Sequence, residues 1–221
     1  MKYTTCATIP CSTPADTLDK LVRALRRSKY AELRLDFLDP DSVEDTLSKC
    51  KRYLKRTICT LRPRAEGGHF AASERERVSL LHKISEYGPH LLDIEYNTLR
   101  RRDKMMSGFG DKKILVSWHN FAKTPCSTFL ARKFQSMGEY SPNVKIVTTA
   151  TSLLDSSRVL ALYGIRQDTN LVAFCMGDLG RISRLVSMYL GAPFMYVSLG
   201  KPVAPGQYSL DEIDMMTVQK T

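Results

Sequence analysis

The chain has 221 residues, of which 43 % are hydrophobic and 25 % charged, proportions of an ordinary globular protein that exclude intrinsic disorder and fibrous structure. At this length a single domain over residues 1–221, with chain enough to bury a substantial core, is expected. The net charge is +10, but the basic groups Arg23–Lys29, Lys49–Arg56 and Arg100–Lys113 are each broken by aliphatic or acidic positions, which suits an enzyme for a small anion and not a nucleic-acid binder.

The first apolar run, YTTCATI from Tyr3, reads as a strand, and Leu18, Leu21, Val22 and Leu25 follow it at helical spacing. A second run, AELRLDFL from Ala31, and a third, RTICTLR from Arg56, also read as strands. Val78, Leu81 and Ile84 then recur on one helical face with Glu and Arg opposite, and Ser73 stands three residues before Glu76 as a capping box. Asp16 and Asp41 stand near the starts of two other helices. Five further runs begin at His90 (HLLDIEY), Lys113 (KILVSWH), Asn143 (NVKIVTTA), Asn170 (NLVAFCM) and Phe194 (FMYVSLG), with short amphipathic segments between them and a short final helix over 209–218. Eight alternations of strand and helix predict an α/β fold, a (β/α)₈ barrel. An open doubly wound sheet is the alternative, yet its dinucleotide-binding version wants G-x-G-x-x-G after the first strand, and PCSTPAD contains no glycine.

No run approaches the roughly 18 apolar residues of a membrane span, and MKYTTCATIPCST lacks the layout of a signal peptide, so a cytoplasmic protein with no membrane contact is expected. The cysteines at 6, 11, 50, 59, 126 and 175 include no C-x-x-C pair and read as reduced, mostly buried thiols.

Side chains alternate along a strand, so Glu32, Arg34 and Asp36 share one face of AELRLDFL while Leu33, Leu35 and Phe37 share the other. If the aliphatic face packs under the helices, three ionisable groups turn into the barrel, where burial is costly unless they are paired or line a cavity. A structural ion-pair network is the plain reading of such a set; a catalytic cavity is the other. The same inversion recurs with Arg62 at the end of the third run, with Asp93 and Glu95 in the fourth, and with His119 at the end of the fifth. Groups at the carboxyl ends of barrel strands and in the loops that follow carry chemistry in this fold, which singles out Arg62, Glu66, Glu95 and His119. His69, His82 and His90 have weaker claims.

Lys145 lies in mid-strand between Val144 and Ile146. A lysine there must find a counter-ion or lose its proton, and a neutral amine attacks carbonyl carbon, so Schiff-base chemistry is the natural expectation beside a structural ion pair. His119 on the neighbouring strand is placed to shuttle protons for it. Loops rich in glycine follow three strands, at Glu66-Gly67-Gly68, at 175–180, and at Ala204-Pro205-Gly206-Gln207. Gly180 precedes a helix with Arg181, Ser183 and Arg184, where guanidinium and helix-terminal amides suit a carboxylate or a phosphate alike. No metal site stands out, and no cofactor is expected.

Taken in order, Glu32-Leu33-Arg34-Leu35-Asp36, Arg62-Pro63-Arg64-Ala65-Glu66-Gly67-Gly68, Ser117-Trp118-His119-Asn120-Phe121 with Thr124-Pro125, Val144-Lys145-Ile146, Met176-Gly177 through Ile182-Ser183-Arg184, and Ala204-Pro205-Gly206-Gln207 resemble type I 3-dehydroquinate dehydratase. The resemblance spans residues 32–207. It implies a (β/α)₈ barrel, often a homodimer, that converts the small molecule 3-dehydroquinate to 3-dehydroshikimate without a cofactor. It further implies Lys145 as the Schiff-base lysine, His119 as the catalytic acid and base, Glu66 as its helper, and Arg184 as the partner of the substrate carboxylate. Glu32, Arg34, Arg62 and Gln207 match positions that hold ring hydroxyls or support their neighbours. One departure is Val203, where many members have serine directly before Ala-Pro-Gly-Gln. Another Schiff-base barrel, of the aldolase or transaldolase type, is the alternative.

Overall fold

The computed structural model describes residues 3–101, 109 and 113–218. All eight predicted strands form: β1 (Thr5–Pro10), β2 (Tyr30–Arg34), β3 (Thr57–Thr60), β4 (Leu91–Glu95), β5 (Ile114–Asn120), β6 (Asn143–Thr149), β7 (Asn170–Met176) and β8 (Met195–Ser198). Every paired neighbour is parallel, and the spatial order β7-β6-β5-β4-β3-β2-β1-β8 follows the chain without the reversal of an open doubly wound sheet. The result is a nearly closed (β/α)₈ barrel. Among the described residues no ladder joins β7 to β8.

Helices α1 (Pro14–Arg27), α2 (Val43–Cys50), α3 (Glu74–Glu86), α4 (Tyr96–Leu99), α5 (Ser127–Gly138), α6 (Leu153–Leu160), α7 (Leu162–Ile165), α8 (Arg181–Tyr189) and α9 (Leu210–Val218) lie between and after the strands. Outward strand residues such as Ile9, Leu33, Ile94, Val116 and Ile146 merge with Leu21, Leu47, Leu81 and Leu130 of the helices into the larger core. The inward set Cys6, Ile58, Leu91, Leu115, Val172 and Phe194 forms a second core that fills the amino-terminal half of the barrel. With apolar groups taking that half, the inward ionisable residues fall at the carboxyl end.

The helix boundaries refine the sequence reading. Ser73 and Glu76 form the reciprocal capping box of α3. Thr13 caps α1, its hydroxyl accepting the backbone N–H of Asp16 at 3.2 Å, while Asp16 itself sits in the first turn. Asp41 belongs to a single 3₁₀ turn, Pro40–Ser42, ahead of α2. The second strand is shorter than its apolar run: it ends at Arg34, and Leu35–Phe37 make a 3₁₀ turn. That turn brings Asp36 back onto Arg34, whose Nε and one NH₂ group donate to its two oxygens at 2.8 Å each. The basic group Arg100–Lys113 lies largely outside the described residues. All six cysteines are free thiols, buried except for Cys126. No described helix is long and apolar enough to cross a membrane.

Candidate active site

A cavity of about 210 Å³ opens at the carboxyl end of the barrel, and Glu32, Arg34, Arg62, Glu66, His119, Lys145, Arg184 and Gln207 all line it. Residues from strands, strand ends, loops and one helix therefore meet at one place. The other three histidines do not reach it. His82 stacks on Phe109 and His90 on Tyr30, while the ring of His69 packs against Phe37.

Register explains the centre. Lys145 pairs with Ser117 on β5 and with Val172 on β7, which turns its side chain into the barrel above the apolar plug. Its Nζ lies 3.3 Å from Oδ2 of Asp93, 3.6 Å from Oε1 of Glu32, and 4.1 Å from the centre of the Tyr196 ring. The ammonium thus has two carboxylates and a π-face around it, with only 8 % of its side chain exposed. Glu32 is held by a hydrogen bond from Thr60 at 2.9 Å.

Asp93 is shared. Arg62 donates to its Oδ2 at 2.6 Å and Ser117 to its Oδ1 at 2.6 Å, and Arg62 also reaches Glu95 at 2.7 Å. Burial opposes ionisation of Asp93, but Arg62 and then Lys145 outweigh it and hold the carboxyl well below its ordinary range. For Glu95 burial prevails over Arg62 and Arg77, and its pKa is raised.

His119 and Glu66 form a second pair, with Nδ1 of the imidazole 3.4 Å from Oε2 of the carboxyl. Asn97 donates to the other oxygen at 3.0 Å. Burial, followed by repulsion from Arg62 and Lys145, pushes the pKa of His119 well below the usual histidine value, so the ring is neutral at rest. Burial and the charge of Glu95 raise Glu66 to about 7. Burial thus favours the uncharged form of both groups. Glu66 reaches this position because the chain doubles back behind it. Gly67 adopts φ +73°, and a Cβ at Gly68 would collide with the carbonyl of Arg62.

Arg184, from α8, is 2 % exposed and lies 4.1 Å over the ring of Phe174. One of its NH₂ groups donates to the Pro205 carbonyl at 3.1 Å, and its buried Nε has no hydrogen-bond partner. No carboxylate pairs with it among the described residues, and burial lowers its pKa. A desolvated, uncompensated guanidinium at a cavity wall is an anion site in waiting. The neighbouring candidates serve the frame: Arg181 pairs with Glu212, and the Ser183 hydroxyl donates to Gly180 and accepts from the Cys175 amide. Gln207 braces the last loop, donating to Thr8 at 3.2 Å and accepting from the backbone of Val203 at 2.9 Å. Val203 lines the cavity with its isopropyl group where a serine would have presented a hydroxyl.

The family model described as type I 3-dehydroquinase matches residues 5–219. The chain belongs to the type I 3-dehydroquinase family. It is therefore a member of a hydro-lyase family, and its relatives agree over most of their length. The 3-dehydroquinate dehydratase of Thermococcus gammatolerans is 41 % identical over 194 residues, 85 % of each chain. That of Dehalococcoides mccartyi is 38 % identical over 196 residues, 86 % of each. The crystal structure of 3-dehydroquinate dehydratase from Geobacillus kaustophilus superposes with a TM-score of 0.84 at 22 % identity, over 99 % of this chain and 91 % of that one, and speaks for the fold. The Aquifex aeolicus enzyme, at 25 % identity, gives 0.77 over 98 % of both chains.

Four residues of this 3-dehydroquinase site are not singled out by the sequence. Asp93 is legible as an inward residue, but its place as the shared counter-ion of Lys145 and Arg62 depends on register across three strands. Tyr196 and Phe174 sit in apolar runs and read as core, yet their rings carry Lys145 and Arg184. Phe121, half exposed and stacked at 5.9 Å on His119, walls the cavity mouth.

Proposed function

We propose that this chain dehydrates 3-dehydroquinate to 3-dehydroshikimate through an imine on Lys145, with residues 1–221 acting as one catalytic domain. The observation that carries the reading is the convergence, in a single cavity, of an amine, a neutral imidazole and an unpaired buried guanidinium. A hydro-lyase that works on a keto acid through an imine needs these three parts.

Arg184 takes the substrate carboxylate and so fixes the ring. Nζ of Lys145, in its deprotonated form, adds to the ketone carbon; the proton given up by the ammonium returns through His119 and, with one from the attacking nitrogen, carries the carbonyl oxygen off as water, leaving an iminium. That cation withdraws electrons from the adjacent C–H bond. Nδ1 of His119 faces Glu66, which leaves Nε2 to take the proton from carbon and produce a neutral enamine. The enamine electrons then expel the β-hydroxyl, which receives the proton back from His119 and departs as water. A second water hydrolyses the conjugated iminium, releasing product and restoring the amine. Glu66 accepts a hydrogen bond from Nδ1–H while the ring is charged. Asp93 and Glu32 balance the lysine charge before and after each turnover, and Glu32 and Arg34 lie where ring hydroxyls would be held.

The test is borohydride reduction in the presence of 3-dehydroquinate, followed by intact mass and peptide mapping, on the wild type and Lys145→Ala. The expected result is a reduced adduct on Lys145 that the variant lacks. A folded wild type that forms conjugated product without an adduct would remove the imine, and one that forms neither would remove the substrate.

A further inference from the structure

We infer that Arg77, on the outer helix α3, is a positioning residue for the reaction, acting on Lys145 through a file of ions that crosses the barrel wall. The inference rests on the reading of Lys145 as the nucleophile. From the barrel axis outward the file runs Lys145, Asp93, Arg62, Glu95, Arg77, Glu74, alternating in sign at each step. Its contacts are 3.3, 2.6, 2.7, 2.6 and 2.8 Å. The first five side chains are at most 8 % exposed, and only Glu74, at 32 %, meets solvent.

Arg77 does not line the cavity. It nevertheless makes both contacts that carry the file outward past the cavity-lining residues. Arg62 holds Oε1 of Glu95, and Arg77 holds Oε2 at 2.6 Å while also donating to the Leu61 carbonyl beside Arg62 at 3.0 Å. Its own fork is fixed on the far side by Glu74 at 2.8 and 2.9 Å and by Thr98 at 2.5 Å. A bidentate group gripped at both ends has one orientation, and it passes that orientation to Glu95 and thence to Arg62. Arg62 in turn decides how much of Asp93 is left for Lys145, because both cations share Oδ2.

Charge gives the same result. Glu95 faces Arg62 from the end of β3, Arg77 from α3, Asp93 on its own strand and Glu66 from the turn after β3, two cations against two acids. Burial already favours its neutral form. Without Arg77 the acids outnumber the remaining cation, Glu95 takes up a proton at a higher pH, and Arg62 loses one of its two anionic anchors. A helix residue outside the cavity thereby governs the protonation state on which the inner half of the file depends.

The experiment compares wild type, Arg77→Met, Arg77→Lys, Glu95→Gln and the Arg77→Met/Glu95→Gln double variant by thermal melting, kcat and KM across pH, and borohydride trapping. For Arg77→Met we expect kcat to fall about tenfold or more while KM stays within about threefold, because the ground-state contacts are retained and the reacting geometry is not. The acid limb of kcat should move to higher pH, and Arg77→Lys should restore much of that position. In the Glu95→Gln background the second change should alter kcat by less than about threefold, the coupling expected of neighbours in one network. A folded Arg77→Met protein with wild-type kcat and an unmoved acid limb, or a fully additive double variant, would reduce Arg77 to a structural role. If neither Arg77 variant folds, Glu74→Gln decides. It leaves the capping box of α3 intact and should lower kcat by roughly two- to fivefold, and no change would overturn the inference. Absence of an adduct on Lys145 in the wild type would instead defeat the underlying reading.

Discussion

Nδ1 of His119 faces Oε2 of Glu66 at 3.4 Å, and the two groups are displaced towards each other in acidity, the imidazole downwards and the carboxyl up to about 7. Below that pH the carboxyl keeps its proton and gives the histidine no negative charge to lean on. Above it, the carboxylate accepts from Nδ1 and strengthens Nε2 as a base. The wild-type kcat should therefore climb with pH through an acid limb near 7. Glu66→Gln should lose that limb and run roughly ten- to a hundredfold slower, less than the 10²–10⁴ contributed by a general acid–base group itself. Steady-state rates of conjugated product from about pH 5 to 9 check both statements.

Arg184 predicts a separation of stability from binding. Because its buried guanidinium has no carboxylate partner, Arg184→Met removes an uncompensated cation and should leave the melting temperature unchanged or higher. Losing a desolvated charge pair with substrate costs about 2–5 kcal/mol, so KM should rise by about thirtyfold at least. Arg184→Lys should recover little, since an ammonium cannot form the fork. Calorimetric melting together with initial rates decides the matter.

Asp93→Asn should be costly in the opposite way. It strips Arg62 and Lys145 of their shared anion, and breaking a buried pair costs about 3–5 kcal/mol. The folded pKa of Asp93 lies below its ordinary value of 3.8. Its stabilisation is thus fully present above that pH and fades as the pH falls through the folded value. Urea denaturation should show the largest gap between wild type and variant near pH 7, with the two curves converging in acid below about pH 4.

The turn behind Glu66 allows a sharper steric test. Gly68→Ala would drive a methyl group into the Arg62 carbonyl, and the backbone there cannot yield without moving Glu66. The expected loss is about 1–3 kcal/mol of stability, as for other overpacked positions, together with a loss of kcat similar to that of Glu66→Gln. Gly200, where a Cβ meets nothing within 4 Å, is the matched control.

Much of this architecture is legible in the chain itself. Strict alternation alone turns Glu32, Lys145 and His119 inward, because a parallel barrel buries both faces of its strands and charge on one of them must be explained. What escapes depends on tertiary context. The apolar run carries β2 past its real end because Asp36 points inward either way, as the continuation of a strand or on a turn folded back onto Arg34. Arg77 sits in the run ERER, which on a helix reads as a solvated face. Its complete burial follows from Glu95 and Thr98 arriving from elsewhere in the chain. Tyr196 and Phe174 belong to the core by their neighbours, but a ring serving as the floor of a cation cannot be told from one that merely fills space.

The missing ladder between β7 and β8 also bears on how the molecule works as a machine. Seven of the eight joints in the wall are riveted by backbone hydrogen bonds, and the eighth is held by side chains and by α8, which packs on both flanking strands. Arg184 belongs to α8, and Gln207 lies in the loop after β8, so two of the groups proposed to grip substrate flank the one joint without rivets. A shift at that joint would break no strand-to-strand hydrogen bond. Lys145 and His119, on β6 and β5, stand on the fully riveted side. The side of the barrel proposed for the chemistry is thus the fully bonded one, and the joint without a ladder lies beside Arg184.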